Sequence, residues 1–292
     1  MRSFEFYKSY KAVYKNYISA LLNSYKKRDH INVILKSGEN LSWNHNYVFL
    51  YSLLSSLKSN NAKDYFNNLV EYFEFEYNGN DVKLDGIKEG NGDIPGVFVR
   101  NDYFFLNPEN SIVFDIGANI GDSSIYFVLN SAAKVIALEP YTYSYNFAIK
   151  NIEINRMENR ITLLNAGYGS DCEIKVDQNK KTNAESTLIP SEYGKNIRLL
   201  SLKALISNYG LSSELLLKMD CEGCEYILLN EQNETLRKFK RIIVEYHYGH
   251  RNLIKKLQNC GFKIRYTKPK RYYNKEAIHH NMRLGYIYAE LQ

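Results

Sequence analysis

Val113-Phe114-Asp115-Ile116-Gly117-Ala118-Asn119-Ile120-Gly121-Asp122-Ser123 is the stretch on which the fold turns. A short apolar run ends at Asp115, a turn with two glycines follows, and Asp122 and Ser123 open a helical pattern. In open α/β sheets a ligand lies beyond the carboxyl ends of the strands, at such a turn. Glycine permits close backbone approach and unusual dihedrals. Gly117 and Gly121 are therefore expected to let a cofactor lie across the turn beside Ala118 and Asn119, with Asp115 near its charged end. The spacing also discriminates among cofactors. A dinucleotide site would show G-x-G-x-x-G with a pyrophosphate at the helix start. Here Asp122 would repel pyrophosphate but suits a cationic sulfonium.

Outward from this turn, strand and helix patterns alternate. Apolar runs recur at Ile112–Asp115, Val135–Leu138, Ile161–Leu164, Leu215–Met219, Ile242–Glu245, Phe262–Tyr266 and Gly285–Ala289. Such alternation predicts a parallel sheet covered by helices on both faces. The last two runs are joined by a loop too short for a helical crossover, so they are expected to form an antiparallel pair closing the sheet edge. Seven strands ending this way suggest the methyltransferase variant of the doubly wound fold. The segment from Ala166 to Leu199 breaks the rhythm and is expected to be an insertion beside the site.

Two further strand ends carry acids. Val135-Ile136-Ala137-Leu138-Glu139-Pro140 places Glu139 where a carboxylate can accept hydrogen bonds from ribose hydroxyls. The third strand ends in small residues, Asn165-Ala166-Gly167, where an adenine ring fits. Leu217-Lys218-Met219-Asp220-Cys221-Glu222-Gly223-Cys224-Glu225 and Val244-Glu245-Tyr246-His247 should bring Asp220, Glu222, Glu245 and His247 to one edge of the sheet, where their titrations would be coupled. Cys221-x-x-Cys224 invites a zinc or redox reading, but no second ligand pair is spaced to complete a zinc site. His279-His280 lie in a basic loop and are expected to face solvent.

Before residue 110 no catalytic signature occurs. Residues 4 to about 25 carry Tyr7, Tyr10, Tyr14, Tyr17, Ile18, Leu21 and Tyr25 at helical spacing, a packing stripe rather than a ligand box. A second helix is expected from Tyr47 to Lys58. Phe73 to Leu84 alternates around Asn78-Gly79 as a β-hairpin, and a strand is expected at Val97 to Val99. The chain thus divides into a helical and hairpin extension, 1–95, and an α/β domain, 96–292.

The 292 residues carry a net charge of +6, with 26 tyrosines against one tryptophan. Seven basic residues face only Glu5 and Asp29 in the first thirty positions, and a second basic run spans Lys263 to Lys275. Such runs are usually solvated faces; they also suit an anionic partner. No stretch approaches a membrane span or a signal peptide. The four cysteines do not make a disulfide framework for a chain of this size. The expectation is a cytoplasmic protein without a transmembrane segment.

The motifs FDIGANIGDSS, VIALEPY with NFAIKNIEIN, LLKMDCEGCEYILL, and IIVEYH with the later CGF resemble those of the FkbM family of methyltransferases, in family order, over about residues 95 to 268. The resemblance implies a class I methyltransferase Rossmann-like fold, S-adenosyl-L-methionine as donor, and O-methylation of a sugar or other small-molecule acceptor. It implies cofactor contacts from Asp115, Gly117, Asn119, Gly121 and Glu139, to which the turn adds Ala118, Asp122 and Ser123 and the next two strand ends add Pro140 and Ala166. Asp220 and Glu222 are implied to stand in the active site. The expected chemistry is in-line attack on the methyl by an acceptor oxygen, the protein aligning the two centres. His247 is expected as general base, Glu222 and Glu245 positioning the acceptor and Asp220 near the methyl. A divalent metal held by these four is a variant that the sequence does not itself indicate.

Rival readings are weaker. Nucleic-acid amino methyltransferases tend to carry an Asp/Asn-Pro-Pro-aromatic turn after the fourth strand, where this chain has an acidic turn unfriendly to phosphate. A protein acceptor, a nicotinamide-dependent oxidoreductase, disfavoured by the glycine spacing, and a non-catalytic binding module complete the set. The sequence does not choose the acceptor, the oligomeric state, or the role of the extension.

Overall fold

A computed structural model describes residues 3–89, 92–178, 188, 190–209, 214–273 and 281–292. The chain divides into two compact units, Met1–Arg100 and Asn101–Gln292.

In the first unit α1 (Ser3–Val13) and α2 (Tyr17–Tyr25) replace the single helix expected there. The break has a tertiary cause. Tyr14 pairs with Leu35, its hydroxyl donates to the Val48 carbonyl at 2.7 Å, and Asn16 Oδ1 accepts the Ile34 N–H at 2.9 Å. These bonds outbid one helical turn. β1 (Ile31–Ile34) and β2 (Asn40–Trp43) form an antiparallel pair. α3 (His45–Leu54), capped by Asn44 Oδ1, stops four residues short of the expected end. After α4 (Ala62–Phe66), β3 (Phe73–Tyr77) and β4 (Asn80–Leu84) make the expected hairpin around Asn78-Gly79.

Pro95–Val99 is a wide helical turn, not a strand. Pro95 supplies a helix-ready φ, and Asp93 accepts the N–H groups of Gly96 and Val97. Of the Gly- and Asp-rich segment before it, residues 90 and 91 lie outside the described residues.

The second unit is built on β5 (Ile112–Ile116), α5 (Asp122–Leu129), β6 (Lys134–Leu138), α6 (Thr142–Ile154), β7 (Ile161–Leu164), β8 (Ala166–Tyr168), β9 (Glu173–Val176), β10 (Lys195–Leu200), α7 (Leu202–Tyr209), β11 (Leu215–Met219), α8 (Asn233–Leu236), β12 (Phe239–Tyr246), α9 (Arg251–Asn259), β13 (Phe262–Tyr266), β14 (Lys270–Tyr273) and β15 (Asn281–Leu291). The main sheet runs β13-β15-β12-β11-β5-β6-β7, with β14 also paired to β15. From β12 to β7 neighbours are parallel; β15 is antiparallel to both β12 and β13. This is the class I methyltransferase arrangement.

The expected antiparallel pair closes the sheet edge, the last strand lying between β12 and β13 with β13 outermost. Lining β5 and β11, every residue is buried, as a strand covered on both faces requires. Phe114, Leu217, Met219, Val244, Ile287 and Leu257 belong to one continuous core. The interruption after β7 is a small sheet of order β8-β10-β9; residues 179–187 and 189 lie outside the described residues. So do Lys275, His279 and His280. Among the described residues no helix is long and apolar enough to cross a membrane.

Candidate active site

β5 delivers Asp115 into the interior. The residue is fully buried, Ser123 and Ser124 hydroxyls donate to its Oδ2 at 2.7 and 2.6 Å, and Lys218 Nζ stands 3.0 Å from Oδ1. Its carboxylate is therefore committed to the protein, as is the Ser123 hydroxyl. Both residues are expected from the sequence to contact the cofactor; these bonds fix where their side chains stand in the turn. Lys218 also donates to the Gly117 carbonyl at 2.7 Å. Burial alone would depress this lysine, but Asp115 and Asp220 outweigh it and hold its pKa above the ordinary value.

Gly117 adopts φ +81°, and a Cβ there would stand 1.9 Å from the Asp220 carbonyl oxygen. The glycine thus lets the turns after β5 and β11 press together. Gly121 packs on Ala148 of α6. Ala118 is buried, its N–H bonded to the Leu138 carbonyl, and Asp122 is buried at the start of α5.

At the end of β6, Glu139 is 6% exposed, with Oε2 accepting the Asn119 N–H and Oε1 the Tyr141 N–H, each at 2.9 Å. Burial pushes its carboxyl up to about 7 against those two bonds. Pro140 follows, its carbonyl and that of Glu139 accepting from Asn165 Nδ2. Ala166 opens β8, paired with Arg198 of β10.

Asn119, at φ +47°, leaves its Oδ1 buried without a hydrogen-bond partner among the described residues. That acceptor, the fixed Glu139 carboxylate and the acids Asp115, Asp122 and Asp220 around one lysine fit a cationic ligand bearing hydroxyls and an amino group.

The second cluster sits where β11 and β12 end. His247 is buried between carboxylates: Nδ1 is 3.0 Å from Glu225 Oε1, which also accepts the His247 N–H at 2.9 Å, and Nε2 is 3.2 Å from Glu222 Oε1 and 3.8 Å from Asp220 Oδ1. Burial opposes the charged ring, yet the bonds and charges of Glu222 and Glu225 prevail and push its pKa well above the usual value. His247 is expected from the sequence as general base; here both ring nitrogens face carboxylates, which favour the protonated ring. Glu245, hydrogen-bonded to Tyr286, is pushed well above the carboxylate range by burial first and by Asp220 second.

Asp220, Glu222 and His247 are thus brought together, with Glu245 close enough to interact with all three. Sequence reasoning gave no role to four participants. Lys218 and Glu225 stand inside a quoted motif, and a lysine in the apolar run Leu215–Met219 was itself a signal. Tyr103, which donates to Asp220 Oδ2 at 3.2 Å, and Tyr286, opposite Glu245 in register, carried none.

Cys221 and Cys224 are joined as a disulfide across this turn, with Cα atoms 5.4 Å apart; Cys172 and Cys260 are free. The sequence argues only against a disulfide framework and does not anticipate this single short-range bond. It encloses Glu222 at φ +55° and Gly223 at φ +122°, the latter a conformation that glycine alone adopts cheaply.

Similarities to known proteins follow the α/β unit. Methyltransferase sdnD of Sordaria araneosa is 25% identical over 185 residues, 51% of this chain and 71% of that protein. A tRNA(Phe) (4-demethylwyosine(37)-C(7)) aminocarboxypropyltransferase of Pyrococcus horikoshii is 36% identical over 56 residues, only 20% of its length. Among solved structures, M. jannaschii TYW2 in complex with AdoMet shares 17% identity over 76% of this chain and 88% of that one, with a TM-score of 0.42. At that score the likeness says nothing about ligand or acceptor. Residues 115–264, just over half the chain, match the Methyltransferase FkbM domain, and the chain belongs to that family of methyltransferases, whose methyl donor is S-adenosyl-L-methionine.

Proposed function

We propose that the chain methylates a hydroxyl oxygen of a sugar or another small polar molecule, at the carboxyl ends of β11 and β12. The observation that carries this reading is the convergence of Asp220, Glu222, Glu245 and His247. This is an acceptor-rich surface suited to hydroxyl groups and hostile to phosphate.

When bound, S-adenosylmethionine supplies a methyl group on a sulfonium, already electrophilic. The chain's part is to hold and orient. Glu139 would take the ribose hydroxyls, and Asn119 Oδ1, Ala118, Gly117, Gly121, Asp122, Pro140 and Ala166 would line the same pocket. Asp115, Ser123 and Lys218 act behind them as positioning residues.

On the acceptor side Asp220 and Glu222, oriented by Tyr103 and His247, would fix the hydroxyl. Glu245, steadied by Tyr286, would take its proton in its ionised form, which burial makes rarer and more basic. Alignment of this kind is worth several kcal/mol, up to about 7–11.

The test pairs calorimetric titration of S-adenosylhomocysteine with transfer of a radiolabelled methyl group to a panel of sugars, small polyols and total RNA. Donor-analogue binding at micromolar Kd with label in a hydroxyl-bearing small molecule is the expected result. Label confined to RNA would overturn the acceptor assignment, and NADH binding in place of the analogue would overturn the donor.

A further inference from the structure

We infer that Asp220, Glu222 and His247 form a binding site for one divalent cation of the Mg²⁺ or Mn²⁺ type. One ligand atom from each of the three lies within 4.8 Å of the others. His247 Nε2 is already 3.2 Å from Glu222 Oε1 and 3.8 Å from Asp220 Oδ1. A cation bonded at roughly 2.0–2.2 Å holds neighbouring donors about 3 Å apart, so small side-chain adjustments close the site.

The histidine is held from behind as a metal ligand is. Fully buried Glu225 receives both the His247 main-chain N–H and the Nδ1 edge on Oε1, while its Oε2 accepts the Gly223 N–H at 2.8 Å. An outer carboxylate of this kind fixes the tautomer with the proton on Nδ1 and turns Nε2 toward the ligand side. Cation binding then displaces the Nε2 proton to solvent.

Charge balance is a separate observation. Asp220, Glu222 and Glu225 gather around one imidazole, while Lys218, two residues before Asp220, is held by Asp115 and the Gly117 carbonyl. Like charges so close in a low-dielectric setting are relieved by a divalent ion. One nitrogen and two carboxylates suit a hard ion that keeps open positions for water or an acceptor.

Glu245 is no part of this triad and stays available to the substrate. An ion here would bind the acceptor hydroxyl and favour its deprotonation. This last step rests on the proposed function above; the binding site does not.

Mn²⁺ is the probe, titrated into the full chain and followed by the electron paramagnetic resonance of the free ion and by water-proton relaxation. S-adenosylhomocysteine affinity is measured on the same samples. One site with Kd below about 100 μM and enhanced relaxation, from water left on the ion, is expected. Glu222→Gln and Asp220→Asn should each weaken Mn²⁺ at least tenfold, with Glu222→Gln leaving the analogue's Kd unchanged.

Glu225→Gln, acting through His247, should weaken Mn²⁺ by about 10- to 100-fold. If Glu222→Gln fails to fold, the more exposed Asp220 carries the test. Equal Mn²⁺ binding by wild type and variants, or none by wild type, overturns the site even where the analogue binds. Mn²⁺ bound tightly with no analogue affinity leaves the site standing and removes the methyl-transfer reading.

Discussion

Lys218 Nζ, 3.0 Å from Asp115 Oδ1 and 2.7 Å from the Gly117 carbonyl, ties β11 to the glycine turn after β5. Both side chains are almost wholly buried. Removing one partner of such a pair leaves an uncompensated charge, at about 3–5 kcal/mol. Lys218→Met should lose that much in urea unfolding, and Lys218→Met with Asp115→Asn should recover part of it. A loss below about 1 kcal/mol in the single variant would mean the pair does not hold the turn.

Glu139 yields a pH dependence. Its carboxyl, pushed up to about 7 chiefly by burial, is charged only above neutrality, and the charged form is the better acceptor for ribose hydroxyls. S-adenosylhomocysteine affinity should rise between pH 6 and pH 8 by up to about tenfold, and Glu139→Gln should bind more weakly with that slope gone. Folding moves the other way. A carboxyl raised on folding contributes stability that is full below its unfolded pKa and lost as pH climbs through about 7. A slope retained in Glu139→Gln would assign the titration elsewhere.

Glu245 separates chemistry from binding. If it takes the acceptor proton, Glu245→Gln should lower kcat by about 10²- to 10⁴-fold and leave the donor analogue's Kd unaltered. Tyr286→Phe, removing the partner hydroxyl, should cost less. A variant that changes KM alone would make Glu245 a binding group.

Much of this architecture was legible because its physical causes are local. β5 and β11 are covered on both faces, so they stand out as unbroken apolar runs. Asp220 and His247 meet because β11 and β12 are neighbours, and parallel strands end on the same rim. What escaped depends on distant partners. Tyr14 leaves its helix for Val48 and Leu35, and the apolar run Val97–Val99 is too short to betray its period.

Tyr103 reaches Asp220 across 117 positions from a loop with no pattern. For His247 the residue type and its meeting with Glu222 were readable, but Glu225 on the other ring nitrogen was not. Those neighbours decide whether the ring accepts a proton or carries one.

The Cys221–Cys224 disulfide brackets the turn that carries Glu222. A loop this short restricts the unfolded chain little, so the bond should contribute no more than about 2 kcal/mol to global stability. Its local effect is larger in consequence. Glu222 and Gly223 both hold positive φ, a costly conformation for glutamate, and the cross-link limits the alternatives open to them. Cys221→Ser with Cys224→Ser should therefore melt only slightly below wild type yet transfer methyl groups at least tenfold more slowly. Treatment with a dithiol reductant, which takes up the disulfide's sulfur–sulfur bond as its own, should reproduce the loss reversibly in wild type and do nothing to the double variant. Equal activity in reduced and oxidised wild type would show that the Gly223–Glu225 hydrogen bond at 2.8 Å suffices to hold the turn.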